Sequence, residues 1–171
     1  MSKTWDAIII GGGAAGLFCA GVAGQLGKKV LVLDHAEVLG EKIRISGGGR
    51  CNFTNLHSSP ANFLSLNPHF VKSALARYPS SQFIKLVTSH RIDYHEKHQG
   101  QLFCDDSAKQ IIDMLFDECA KGKVTVRNPV TVESISQDGD HWIVHTNSGI
   151  EKSKAVVMAT GGLPVPAIGA T

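Results

Sequence analysis

Four consecutive apolar residues, Ala7-Ile8-Ile9-Ile10, follow a polar start, and a second such run ends at Leu33. Short unbroken apolar runs predict strands buried on both faces, as in a parallel sheet. Between them, Leu17, Phe18, Cys19, Ala20, Val22, Ala23 and Leu26 predict a helix that Gly27 ends. Residues 29–33 are then the second strand. From 35 to about 67 no period is visible, which predicts a long irregular segment of the kind that carries function. Phe70, Val71, Ala74 and Leu75 predict a helix within 68–78. Ser80 or Ser81 is placed to cap another, carrying Phe83, Ile84, Leu86 and Val87. Short strands are predicted at 92–95 and 101–103. Asp106 or Ser107 would cap an amphipathic helix whose face is Ala108, Ile111, Ile112, Leu115, Phe116 and Cys119, ended by Gly122. Residues 123–127 read as a third parallel strand. Residues 130–136 and 141–146, with turns at Asp138-Gly139 and Asn147-Ser148-Gly149, predict an antiparallel meander. Residues 155–159 predict a buried strand running into Thr160-Gly161-Gly162.

The turn between the first strand and helix reads Gly11-Gly12-Gly13-Ala14-Ala15-Gly16, a G-x-G-x-x-G pattern. In a strand–turn–helix context this pattern holds the pyrophosphate of a dinucleotide. Gly11 makes the turn, Gly13 lets the phosphates approach the backbone, and Gly16 allows close helix–strand packing. The helix N-terminus adds free N–H groups and a favourable dipole. Asp34 ends the second strand, close to the spacing of about 20 residues at which an acid accepts ribose hydroxyls. It would repel a 2′-phosphate. A meander as the crossover, with Ala159-Thr160-Gly161 at the next strand end, favours FAD over NAD. The predicted fold class is α/β: a Rossmann-like three-layer FAD/NAD(P)-binding domain of parallel sheet, helices and β-meander crossover.

Composition narrows the class without changing it. The 171 residues predict one domain. A net charge of +2 argues against nucleic acid or a membrane surface as partner, leaving a small-molecule substrate. No apolar run approaches the ~18 residues of a membrane span, and the start has no signal peptide. The four cysteines, Cys19, Cys51, Cys104 and Cys119, form no C-x-x-C pair, which fits a reducing cytoplasmic compartment.

A second glycine cluster stands in the segment Gly40 to Asn55, which includes Lys42, Arg44, Ser46-Gly47-Gly48-Gly49-Arg50-Cys51-Asn52. Consecutive glycines can lie against a planar ligand, and the cations could offset phosphate or reduced-flavin charge. This segment resembles the signature of a bacterial flavoprotein family, FAD/NAD(P)-dependent oxidoreductases of the aminoacetone-oxidase and bile-acid-intermediate-reductase type. Gly11 to Gly16, Asp34, Gly100 to Lys109 and Ala159 to Gly162 carry the resemblance along the whole chain. It departs at Phe103-Cys104, where the family often has Phe-Pro. The resemblance implies FAD as cofactor and NAD(P)H as a candidate electron donor. It implies that Gly11, Gly13, Ala14, Ala15 and Gly16 hold the pyrophosphate, with Asp34 at the adenosine ribose and His35 beside it. Lys42 and the loop of Ser46, Gly47, Gly48, Arg50, Cys51 and Asn52 would lie near the isoalloxazine. The Val132 backbone would meet the adenine, and Ala159, Thr160 and Gly161 would line the cofactor channel. It further implies relatives roughly twice as long, so that residues 1–171 are the N-terminal part of an FAD domain, incomplete at the C-terminus. A substrate domain and the return of the FAD domain would follow, and an exposed edge there would invite association between chains.

Several candidates have two readings. Cys51 is a redox thiol or a packing residue, and the missing C-x-x-C partner favours packing. His95 and His98 have metal-ligand spacing but no neighbouring cysteine, which argues against a metal. His35 is an adenine neighbour or an exposed histidine. Asp105-Asp106 is a carboxylate pair or a helix cap with its neighbour. No nucleophile–base constellation is visible, and no catalytic residue is assigned. The leading function is a flavin-dependent oxidoreductase. The rivals are an NAD-binding domain, a non-catalytic remnant, and a flavin- or RNA-associated interaction module.

Overall fold

A computed structural model describes residues 4–162 of the chain. In order, its elements are β1 (Thr4–Trp5), β2 (Ala7–Ile10), α1 (Ala14–Gln25), β3 (Val30–Leu33), α2 (Glu41–Ile45), β4 (Asn52–Asn55), α3 (Lys72–Arg77), α4 (Ser80–Ser89), β5 (Tyr94–Glu96), β6 (Gln101–Cys104), α5 (Lys109–Lys121), β7 (Thr125–Arg127), β8 (Val132–Asp138), β9 (His141–Thr146), β10 (Gly149–Ser153) and β11 (Val156–Met158). The chain divides into two compact units. One comprises Met1–Lys42 and Leu115–Thr171, the other Ile43–Met114.

The first unit holds a parallel sheet in the order β11-β2-β3-β7. Its two central strands are apolar on both faces: Ile8, Ile9 and all four residues of β3 are buried, as central strands of a covered parallel sheet should be. The strand order explains one departure from expectation. The stretch 155–159 is not uniformly buried: among the described residues β11 is the outer strand of this sheet, and Met158 is 62% exposed. The meander β8-β9-β10 forms a second sheet, to which β1 adds in parallel beside β10. Trp5, Ile8, Ile10, Leu31, Leu33, Val130 and Val144 share one core, with Val132, Ile135 and Val156 packed against it. Helix α1 approaches the C-terminal turn of α5 closely: a Cβ at Gly24 would lie 2.6 Å from the Gly122 carbonyl oxygen.

The second unit contains the three-stranded antiparallel sheet β4-β6-β5 and helices α3 and α4. Its interior includes Ile43, Val87, Ile92, Leu102, Phe103, Cys104 and Ile111. Phe53 meets Tyr94 edge-on at 5.5 Å and Phe83 at 6.1 Å. The irregular segment expected from 35 to 67 is shorter than read: it contains α2 and β4, too brief to show a period. Helix α4 starts at Ser80 with Pro79, not a serine, at its cap position. The cap of α5 is Ser107, whose Oγ accepts the Lys109 N–H at 3.1 Å.

Candidate FAD site

The first unit builds a glycine turn at the C-terminal end of β2. Gly11 has φ +113°, and a Cβ there would stand 2.4 Å from the Ala159 carbonyl oxygen. At Gly16 a Cβ would stand 1.8 Å from the Gly11 carbonyl oxygen, so strand and helix touch through bare backbone. Gly13 differs from both. It is the N-cap of α1 with φ −87°, and a Cβ there would meet nothing within 4 Å. Ala14 and Ala15, in the first turn, are exposed. The first N–H groups of α1 thus have no side-chain cap and open space before them, a suitable seat for a pyrophosphate.

Asp34 sits at the end of β3 with its carboxylate turned back onto this turn. Oδ2 accepts the Gly12 N–H at 2.5 Å and Oδ1 accepts the Ala36 N–H at 2.8 Å. It therefore braces the glycine turn, a role the spacing argument did not reveal. Each carboxylate oxygen has further lone-pair capacity for a hydroxyl. The exposed ring of His35 lies 3.7 Å from Asp34 Oδ1. The Val130 N–H donates to the Asp34 carbonyl at 2.8 Å, tying the start of the meander, and Val132 beyond it, to the acid.

At the edge strand, the Ala159 N–H donates to the Ile10 carbonyl at 2.8 Å. Lys42 Nζ donates to the Gly162 carbonyl at 2.6 Å and would lie 3.2 Å from a Cβ on Gly161. Its ammonium thus holds the Thr160-Gly161-Gly162 backbone. The first unit accordingly gathers Gly11, Gly13, Ala14, Ala15, Gly16, Asp34, His35, Lys42, Val132, Ala159, Thr160 and Gly161.

The second unit carries the other glycine loop. Gly47, Gly48 and Gly49 have φ of +59°, +67° and +88°, and Cys51 has +50°. Four left-handed residues within five coil the backbone tightly. Gly47 packs under Phe103, whose Cε1 would be 2.6 Å from a Cβ there, whereas Gly48 and Gly49 face open space. Ser46 Oγ donates to the Ile43 carbonyl at 2.8 Å, the Asn52 amide faces the carbonyls of Leu102 and Thr54, and Arg50 is exposed. Cys51 is buried, and desolvation pushes its thiol up, against a reactive thiolate.

Beside this loop, His95 Nδ1 lies 2.6 Å from Asp105 Oδ1. The His95 ring stacks on Phe103 at 6.3 Å and 19°. Sequence reading took His95 and Asp105 separately, as a metal-ligand candidate and a cap candidate. Only the β5–β6 pairing, which sets His95 opposite Phe103, brings them together. Among the described residues no group of three or more His, Cys, Asp or Glu is placed to hold a metal ion. Nor is any helix there long and apolar enough to cross a membrane.

The doubly covered parallel sheet, meander crossover and uncapped helix over a glycine turn define an FAD-binding Rossmann domain of the flavoprotein oxidoreductase superfamily. More narrowly, the chain belongs to the HI0933-like protein Rossmann domain family, whose model matches residues 5–171. It is 54% identical to "Ribosomal RNA dihydrouridine synthase" of Escherichia coli (strain K12), over 99% of this chain and 42% of that protein. It is 25% identical to "3-dehydro-bile acid delta(4,6)-reductase" of Clostridium scindens, over 94% of this chain and 40% of that protein. The crystal structure of glycine oxidase from Bacillus cereus ATCC 14579 shares the fold, with a TM-score of 0.64 at 16% identity, over 94% of this chain and 57% of that one. The chain spans less than half the length of the curated relatives it matches.

Proposed function

We propose that this chain is the FAD-binding part of an enzyme that reduces uridine in ribosomal RNA to dihydrouridine. The observation that carries this is the 54% identity, over almost the whole chain, to a protein of that name. The more distant bile-acid reductase supports the same reaction type. Both names describe reduction of a carbon–carbon double bond conjugated with a carbonyl. Such a reduction delivers a hydride to one carbon and a proton to its neighbour, saturating one C=C.

In this reading the α1 N-terminus and the turn from Gly11 to Gly16 hold the pyrophosphate, and Asp34 the ribose. FAD, when bound, supplies the hydride from its N5 after reduction by NAD(P)H.

The test uses the purified yellow protein, NADH or NADPH, and ribosomal RNA lacking the modification, read by nucleoside mass. The expected result is uridine gaining two hydrogens. Unmodified RNA alongside reduction of a steroid dienone would replace the RNA reading with a small-molecule reductase.

A further inference from the structure

The charge of this chain is unevenly spread. Residues 43–92 contain six Lys and Arg (Arg44, Arg50, Lys72, Arg77, Lys85 and Arg91) and no Asp or Glu, though the whole chain carries 15 acids. The net charge of +2 conceals this block, which is why it argued against nucleic acid. Within the block, residues 61–70 are all exposed. They include Phe63 and Phe70, whose rings meet edge-on at 6.4 Å. An open groove of about 580 Å³ is lined by Ser59, Pro60, Phe63, Leu64, His69 and Lys72, among others.

We propose that this groove docks a single-stranded stretch of RNA. The inference rests on the RNA reading above and adds where the substrate is held. Single strands are bound by aromatic faces that stack bases, set among cations that follow the phosphates. Phe63, in the groove wall, supplies an exposed ring, and Phe70 meets it edge-on beside the groove. Lys72, in the groove wall, and Arg77, at the end of the same helix, supply the charge. Residues 43–92 contribute no carboxylate of their own to repel the backbone.

The test is fluorescence anisotropy of the FAD-loaded protein with a fluorescein-labelled oligouridylate of about 12 nucleotides, between about 50 and 200 mM salt. Phe63→Ala should weaken binding roughly tenfold. Lys72→Ala should weaken it most at low salt and lessen the log–log salt slope by about 0.7. The flavin absorbance of each variant reports that the protein is folded. Wild-type affinity in both variants would overturn the groove while leaving RNA as substrate. A wild type that binds no oligouridylate but reduces uridine in ribosomal RNA would do the same. No binding and no uridine reduction would remove the RNA reading itself. Loss of a dimer in Phe63→Ala, with RNA affinity unchanged, would show a second copy as the occupant and overturn the proposal.

Discussion

Gly13 and Gly16 stand three residues apart in one motif and do different work. Gly16 is required by the fold, because any Cβ would enter the Gly11 carbonyl. Gly13 has an ordinary negative φ and free space around its missing Cβ, so the protein alone does not need it. Gly13→Ala should cost at most about 1 kcal/mol of stability. It should weaken FAD binding by about tenfold or more, because the methyl occupies the space before the helix N–H groups. Gly16→Ala should lower the melting temperature sharply whether or not FAD is present. Thermal melts and flavin titration of the two variants separate the roles; equal FAD affinity in Gly13→Ala would remove the pyrophosphate from this turn. The motif was readable at this scale, but the division of labour within it was not. Nor was the turning of Asp34 onto Gly12, since both follow from distances between backbone segments.

At the scale of elements, the loop after α2 offers an internal comparison. Gly47 and Gly48 have nearly the same left-handed φ, so alanine pays about 1–2 kcal/mol of backbone strain at either. Only Gly47 adds a collision with Phe103 of β6. Gly47→Ala should therefore melt well below Gly48→Ala in thermal denaturation, and equal melting would show that Phe103 yields freely. Elements that repeat a single environment were legible in advance. The helix α5 period and the apolar runs of β2 and β3 each repeat a single environment along their length. Some others were not: α2 and β4 carry too few residues of one character to display a period. The His95–Asp105 pair belongs with these, because it exists only through the register of β5 against β6.

For the molecule as a whole, the buried thiols link stability to pH. Desolvation raises Cys104 from 9.0 to about 12 and Cys119 from 9.0 to about 11. Above pH 9 the unfolded chain releases these protons while the folded chain keeps them. Stability from this source is therefore complete below pH 9 and falls as pH rises through 9 toward 12. Urea unfolding midpoints should decline over that range, and less steeply in Cys104→Ala. An unchanged slope would show that Cys104 is not protected. The same burial keeps Cys51, Cys104 and Cys119 from reacting with a thiol reagent at neutral pH until the chain is unfolded.

Local patterns sufficed for the dinucleotide turn, the order β-α-β, the meander and the acid at the end of β3. Each of these depends on residues close in sequence or on a run of one environment, and hydrophobic burial imposes a period that can be read directly. Tertiary structure decided the rest. It made β11 the outer strand among the described residues, turned Asp34 and Lys42 onto backbone, paired His95 with Asp105, and set exposed rings in an acid-free stretch. Those outcomes depend on which segments meet across long intervals of chain, and no local period encodes such meetings.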